Sequence, residues 1–269
     1  MATHDAQTPR ADAFRDYAGR AIEVRRLTPG DIIDALKLGL ADFCVKPSHI
    51  FILGLIYPVG AGLMAAIALD LDLLPLVFPI AGGYAIGGPF AAIVLYEISR
   101  RREEGGAFEW ANVADILHTA SKWAIATLAF VLVAIFAVWL AVAQAIYDAT
   151  VGTIGFSSIG EFIRLALTTP EGVKMIVLGN GAGFVLATAV FASNVVSFPM
   201  LLDRHVGPAT AVATSLRVVA KSPIAMAFWG LIIAVLMIAG TVLLLAGLAV
   251  VLPVLGHASW HVYRKAVAR

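Results

Sequence analysis

GPATAVATSLRVVAKS at residues 207–222 and PVLGHASWHVYRK at residues 253–265 bracket an apolar run, and no Asp, Glu, Lys or Arg stands between Lys221 and Arg264. At 1.5 Å per residue, that gap of roughly 40 residues makes about 60 Å of helix, two crossings of a hydrocarbon core about 30 Å thick. A hairpin turning near Gly240 and Thr241 keeps Arg217 and Lys221 on the same side as Arg264, Lys265 and Arg269, as the positive-inside rule prefers. The repeating unit is therefore an amphipathic helix on the inner face, one span out and one span back.

The rest of the chain reads as two more copies of that unit. In the first, Thr28 is an N-cap and Pro29 the first helical residue, and the helix ends before Pro47. Ile32, Ile33, Leu36, Leu40, Phe43 and Cys44 form its apolar face, which predicts Cys44 to be a buried, inert thiol, while Asp31, Asp34, Lys37 and Asp42 fall on the polar face. In the second copy, Trp110, Val113, Leu117 and Ala120 make the stripe. The amphipathic segments end in Lys46, Lys122 and Lys221. The fold class is all-α, a polytopic membrane protein of six spans in three approximate repeats with both termini inside. The spans cover about 49–69, 73–98, 123–147, 175–199, 222–240 and 242–262, after a polar inner tail at 1–28. A short surface helix is predicted within Ser157–Leu167 on the outer side.

Composition agrees. The chain is 60% hydrophobic and 14% charged, with mean hydropathy +0.89, which excludes an ordinary soluble domain. Of 19 Lys and Arg, only Arg164 and Lys174 fall outside, against five of the 18 acids: Asp70, Asp72, Asp148, Glu161 and Glu171. One cysteine excludes an internal disulfide and a cysteine-built metal cage.

Gly83 and Gly87, and Gly179 and Gly183, are pairs four apart that would let span backbones approach closely. Asn180 and Asn194 are intramembrane polar residues expected to hydrogen-bond between helices. No acid or base falls near a span centre; Glu97 comes closest and can reach the interface beside Arg100, which argues against proton coupling. His257 and His261 share one helix face. Imidazoles at that spacing suit a transition metal or haem iron, and His49, His118 and His205 also map to inner boundaries. The favoured alternative joins His257 and His261 with Trp260 and Tyr263 in an interfacial belt. No catalytic constellation, nucleotide loop or nucleic-acid surface is present, so no catalytic residue and no resident cofactor is expected.

GLAVVLPVLGHASWHVYRKAV, with the preceding SLRVVAKSPIAMAFWG, resembles an uncharacterised bacterial family of integral membrane proteins, some of whose members are labelled cytochrome c oxidase subunit I. Pro253, Gly256, His257, Trp260, His261 and Tyr263 carry the resemblance most specifically. It implies the bacterial inner membrane and no established activity. A haem–copper core needs about six histidines within its helices; this chain has six in all, with His4 in the tail. A non-catalytic accessory, scaffold or assembly component, associated with the respiratory chain, is the leading expectation. Its partners are the bilayer and a membrane protein or second copy. A carrier for a small neutral or lipid-like solute is the other class, and metal or haem binding at His257 and His261 fits beside either.

Overall fold

The computed structural model describes residues 22–45, 71–77, 79–80, 88–106, 121–242 and 247–268. Among these there is no strand, only one antiparallel bridge between Val24 and Val267. The helices are α1 (Pro29–Val45), α2 (Gly88–Ala91), α3 (Ile93–Glu103), α4 (Lys122–Asp148), α5 (Ile159–Thr168), α6 (Pro170–Asn194), α7 (Ser197–Asp203), α8 (Pro208–Lys221), α9 (Pro223–Val242) and α10 (Leu248–Ala266), with a 3₁₀ turn at Leu71–Leu76. Four of them, α1, α6, α8 and α9, begin on proline, whose missing N–H costs nothing at the first helical position.

Three stretches are long and apolar enough to cross a membrane: Lys122–Asp148, Pro170–Asp203 and Pro223–Thr241. They correspond to the expected spans at 123–147, 175–199 and 222–240. The expected span at 49–69 lies outside the described residues, as do residues 78 and 81–87 of that at 73–98 (Gly83 and Gly87 among them), the tail to residue 21 and the stripe at Trp110–Ala120. On α4, α6 and α9 many large apolar side chains point outward, among them Phe130, Phe184 and Ile238, while others such as Leu128 and Trp229 are buried. Such faces belong in lipid, where the backbone is already satisfied within each helix.

The final helix departs most from expectation. Residues 242–262 are expected to form the return span, with His257, Trp260, His261 and Tyr263 in an interfacial belt at its end. Instead α10 is wrapped by α1, α3, α7 and α9, and Gly256, His257, Ala258, Trp260, Val262 and Tyr263 are all buried. A return hairpin from α9 is present as expected: a methyl on Gly240 would stand 2.8 Å from the Leu248 side chain and 3.1 Å from its backbone nitrogen.

Helix α1 is tightest against α10. Its start is a capping box, with the Thr28 hydroxyl accepting from the Asp31 N–H (3.3 Å) and an Asp31 oxygen accepting from the Thr28 N–H (2.9 Å). The buried row is Ile32, Ala35, Gly39 and Asp42, so the expected apolar face needs correction. Ile33, Leu40 and Cys44 are exposed, and Asp42 is inside. The reason is steric. A Cβ on Gly39 would lie 2.5 Å from the Ala258 backbone nitrogen, so the small-residue row must face α10 and the larger apolar residues turn out.

At the opposite end, α5 forms within the predicted stretch. Ser158 caps it by accepting from the Glu161 N–H at 3.2 Å, and Ile159, Ile163 and Leu167 share an exposed apolar face. The α6–α7 break at Val195–Val196 follows from Pro199, whose ring would clash with the carbonyl four residues before it.

The remaining helix ends gather at one polar pole. There Ser222 accepts from the Leu27 N–H (2.8 Å), Ser121 donates to the Arg204 carbonyl (3.0 Å), and Lys221 donates to the Val24 carbonyl (2.7 Å). Arg25 N–H donates to Ala266, and Ala268 N–H donates to Glu23. The segments flanking both ends of the described chain thus lie side by side.

Candidate functional site

Three helices converge on one buried carboxylate at this pole. Helix α3 is stopped by Glu104, Gly105 and Gly106: Gly105 has φ +77°, a conformation natural to glycine, and the N–H groups of Gly105 and Gly106 return to the carbonyls of Arg102 and Arg101. That stop places Ser99, Arg102 and Glu103 beside α10. Helix α1 supplies Asp42, and α10 supplies His257 and His261.

Asp42 is only 5% exposed. One oxygen takes Arg102 Nη1 at 2.5 Å, and the other takes Ser99 Oγ at 2.5 Å and His261 Nε2 at 2.8 Å. Ser99 Oγ also stands 2.8 Å from His257 Nδ1. Because the Ser99 proton goes to the carboxylate, the network assigns His257 Nδ1–H as donor to Ser99 and His261 Nε2–H as donor to Asp42. Burial pushes the Asp42 carboxyl up, but hydrogen bonds from His261 and Ser99 outweigh it and hold the group below its ordinary range. The result is a chain of hydrogen bonds running from a fully buried imidazole, through a hydroxyl and a carboxylate, to His261 near the surface.

A second layer surrounds this centre. Glu103 accepts from Trp260 Nε1 (3.0 Å) and Arg264 Nε (3.1 Å), while Tyr263 Oη donates to Asp203 (2.6 Å). Arg264 lies 5.9 Å from the centre of the Trp260 ring. Glu97 pairs with Arg100 as the sequence suggests, and is buried and held by Arg100 at 2.8 Å and Arg101 at 2.6 Å. Packing closes over it before its side chain can reach water, and two guanidiniums from its own helix neutralise it. Above the cluster opens a cleft of about 420 Å³ bounded by Arg102, Glu103, His261, Arg264 and Lys265.

His257 and His261 therefore do not form the belt favoured from sequence; both are polar members of a protein-packed core. Among the described residues, no three His, Cys, Asp or Glu side chains are gathered as a metal site. His205 is exposed, and His49 and His118 fall outside the described residues. The intramembrane amides also differ from expectation. Asn180 donates to Ile176 and Asn194 to Val190, each to its own helix four residues back, because a helix interior offers that carbonyl at no cost in reach. Gly183 sits against the Trp139 ring of α4, where a Cβ would be 3.1 Å away, whereas a Cβ on Gly179 would meet nothing within 4 Å.

The sequence reading missed Asp42, Ser99 and Arg102. A signal was available in α1: Ala35 and Gly39 are small residues four apart, and the arc they define continues to Asp42.

No protein of curated function and no solved structure matches this chain. Residues 77–203, which take in α2 through α7 with Ser99, Arg102, Glu103 and Asp203 but not Asp42, His257 or His261, match the family described as “Predicted integral membrane protein (DUF2189)”, so the expected kinship with an uncharacterised membrane family holds over that stretch.

Proposed function

We propose that the protein is a multi-pass component of the bacterial cytoplasmic membrane, crossing it six times with both ends inside, and that it serves as a non-catalytic accessory, scaffold or assembly subunit of a larger membrane complex. The observation that carries this reading is how the polar pole uses its ionisable groups. Asp42, Glu97, Glu103 and Asp203 are each engaged by neighbouring donors. Ser99, the buried hydroxyl at the centre, gives its proton to a carboxylate. A catalytic base or nucleophile must instead be presented to a substrate atom. The arrangement suits rigid anchoring of α1, α3 and α10, with the apolar faces of α4, α6 and α9 available to lipid and to partner helices. Tagged full-length protein extracted from its native membranes in mild detergent should migrate as a stoichiometric complex on native electrophoresis, with respiratory complexes the first partners to probe. Recovery of the chain alone, at monomer size and across several detergents, would overturn the reading.

Metal or haem binding through His257 and His261 is the second reading; Asp42, 2.8 Å from His261 Nε2, would orient that imidazole and not complete a three-ligand set. Elemental analysis and an optical spectrum of the purified protein test it. Stoichiometric metal or a haem band lost in both His257→Ala and His261→Ala supports it, and a metal-free, colourless protein sinks it.

A further inference from the structure

The cleft over Asp42 has an imbalance of hydrogen-bonding capacity. Its acids are occupied: both Asp42 oxygens accept, and Glu103 takes Trp260 and Arg264. Its cations keep donors in hand. The Arg102 side chain is 41% exposed, and among the described residues only its Nη1 is engaged, although a guanidinium carries five N–H groups in a planar fork. Lys265 Nζ lies 3.4 Å from Asp31 and 3.7 Å from Asp34, beyond the roughly 2.7–2.9 Å of a strong charge-assisted bond. What remains unfilled in the cleft is donor capacity, chiefly on the Arg102 fork, with the Lys265 ammonium held only by longer contacts to Asp31 and Asp34. One wall is apolar, formed by Leu38 and Ala41 of α1, and Leu38 is among the exposed large hydrophobic residues.

We propose that this cleft binds a phosphate-bearing anion, with the Arg102 fork taking two of its oxygens and Lys265 supplying the second positive charge. Basic pockets between membrane helices hold anionic headgroups by the same chemistry. The apolar wall beside the cations makes a phospholipid headgroup the expected source and soluble phosphate the other.

Full-length protein in detergent is titrated with phosphatidylglycerol, with phosphatidylcholine as the net-neutral control, and separately with inorganic phosphate. Binding is read by thermal stability and native mass spectrometry. The expected result is saturable binding of phosphatidylglycerol, weaker binding of phosphatidylcholine, and about tenfold loss in the Arg102→Gln, Lys265→Gln double variant. Arg102→Lys, which keeps charge without the fork, should fall between. Because Arg102 also holds Asp42, Lys265→Gln alone is measured as the variant that leaves that pair intact, and it too should weaken binding. Saturable binding of inorganic phosphate with no lipid preference, lost in the same variants, supports the site and assigns it to a soluble anion. The proposal is overturned if folded protein saturates with neither probe, or if the double variant binds both as the parent does.

Discussion

Replacing Asp42 by asparagine tests whether the buried cluster is the keystone of the polar pole. The carboxylate accepts from Arg102 on one oxygen and from Ser99 and His261 on the other. An amide has one oxygen and one NH₂. Whichever way it turns, a donor meets a donor: either the guanidinium loses its partner, or the Ser99 and His261 bonds are broken. Losing hydrogen bonds to a buried charged group should cost about 1.5–3 kcal/mol, because the Arg102 left behind is 41% exposed and can rehydrate, and Ser99→Ala, which removes one buried hydrogen bond, should cost about 1–3 kcal/mol. The two substitutions touch the same oxygen, so the double variant should lose clearly less than the sum of the singles. Reversible unfolding of the full chain in a mild detergent, followed by circular dichroism, measures all three. If Asp42→Asn stays within about 1 kcal/mol of the parent, the range of an exposed pair, or if the two losses add, the cluster does not hold the helices together as described.

Gly39→Ala should destabilise by about 1–3 kcal/mol through overpacking against Ala258, and Ala35→Gly in the same background should not restore the loss; unchanged melting would show that α1 and α10 can part freely. Acid sensitivity has a defined sign at Asp31, whose carboxyl is held below its ordinary value of 3.8 chiefly by the Thr28 N–H. Its contribution is therefore complete above that value and lost as pH falls through the depressed folded value. A pH series should show the parent and Asp31→Asn converging at the acid end, and a gap that persists there would contradict it. Cys44 is the only cysteine and is exposed. In intact membrane vesicles it should react with an impermeant maleimide from the same side as a cysteine placed at Gly106, and from the opposite side to one placed at Ser157 in a Cys44→Ser background. Labelling of all three from one side would break the proposed topology.

The long apolar helices were legible because their signal is additive: dozens of residues each contribute, and no tertiary knowledge is needed to see α4, α6 or α9. The first cap was legible too, since Thr28 and Pro29 act on their own next few residues. What the sequence could not display was which face of α1 turns inward. Hydrophobicity pointed to Ile33, Leu40 and Cys44, but close packing chose Ala35 and Gly39, and Asp42 was carried inside with them. Burying an acid by composition alone reads as an error; it becomes sensible only when Arg102, Ser99 and His261 arrive from two other helices. The histidine pair failed in the same way. Flanked by Trp260 and Tyr263, it looked amphipathic, and nothing in α10 itself reveals that four helices surround it.

The bond between Asp42 and His261 joins residues 219 positions apart. At about 5–20 residues per second, roughly 10–45 s of synthesis separates the two. Throughout that interval, the nascent chain carries Asp42, Ser99 and Arg102 without the helix that completes their hydrogen bonds, and the bridge from Val24 to Val267 can close only after α10 has been made. The Asp42 cluster is thus completed late, although its bonds to Ser99 and Arg102 need nothing from α10. A chain cut short before α10 would leave Asp42 without His261 and the small-residue row of α1 without the helix that covers it.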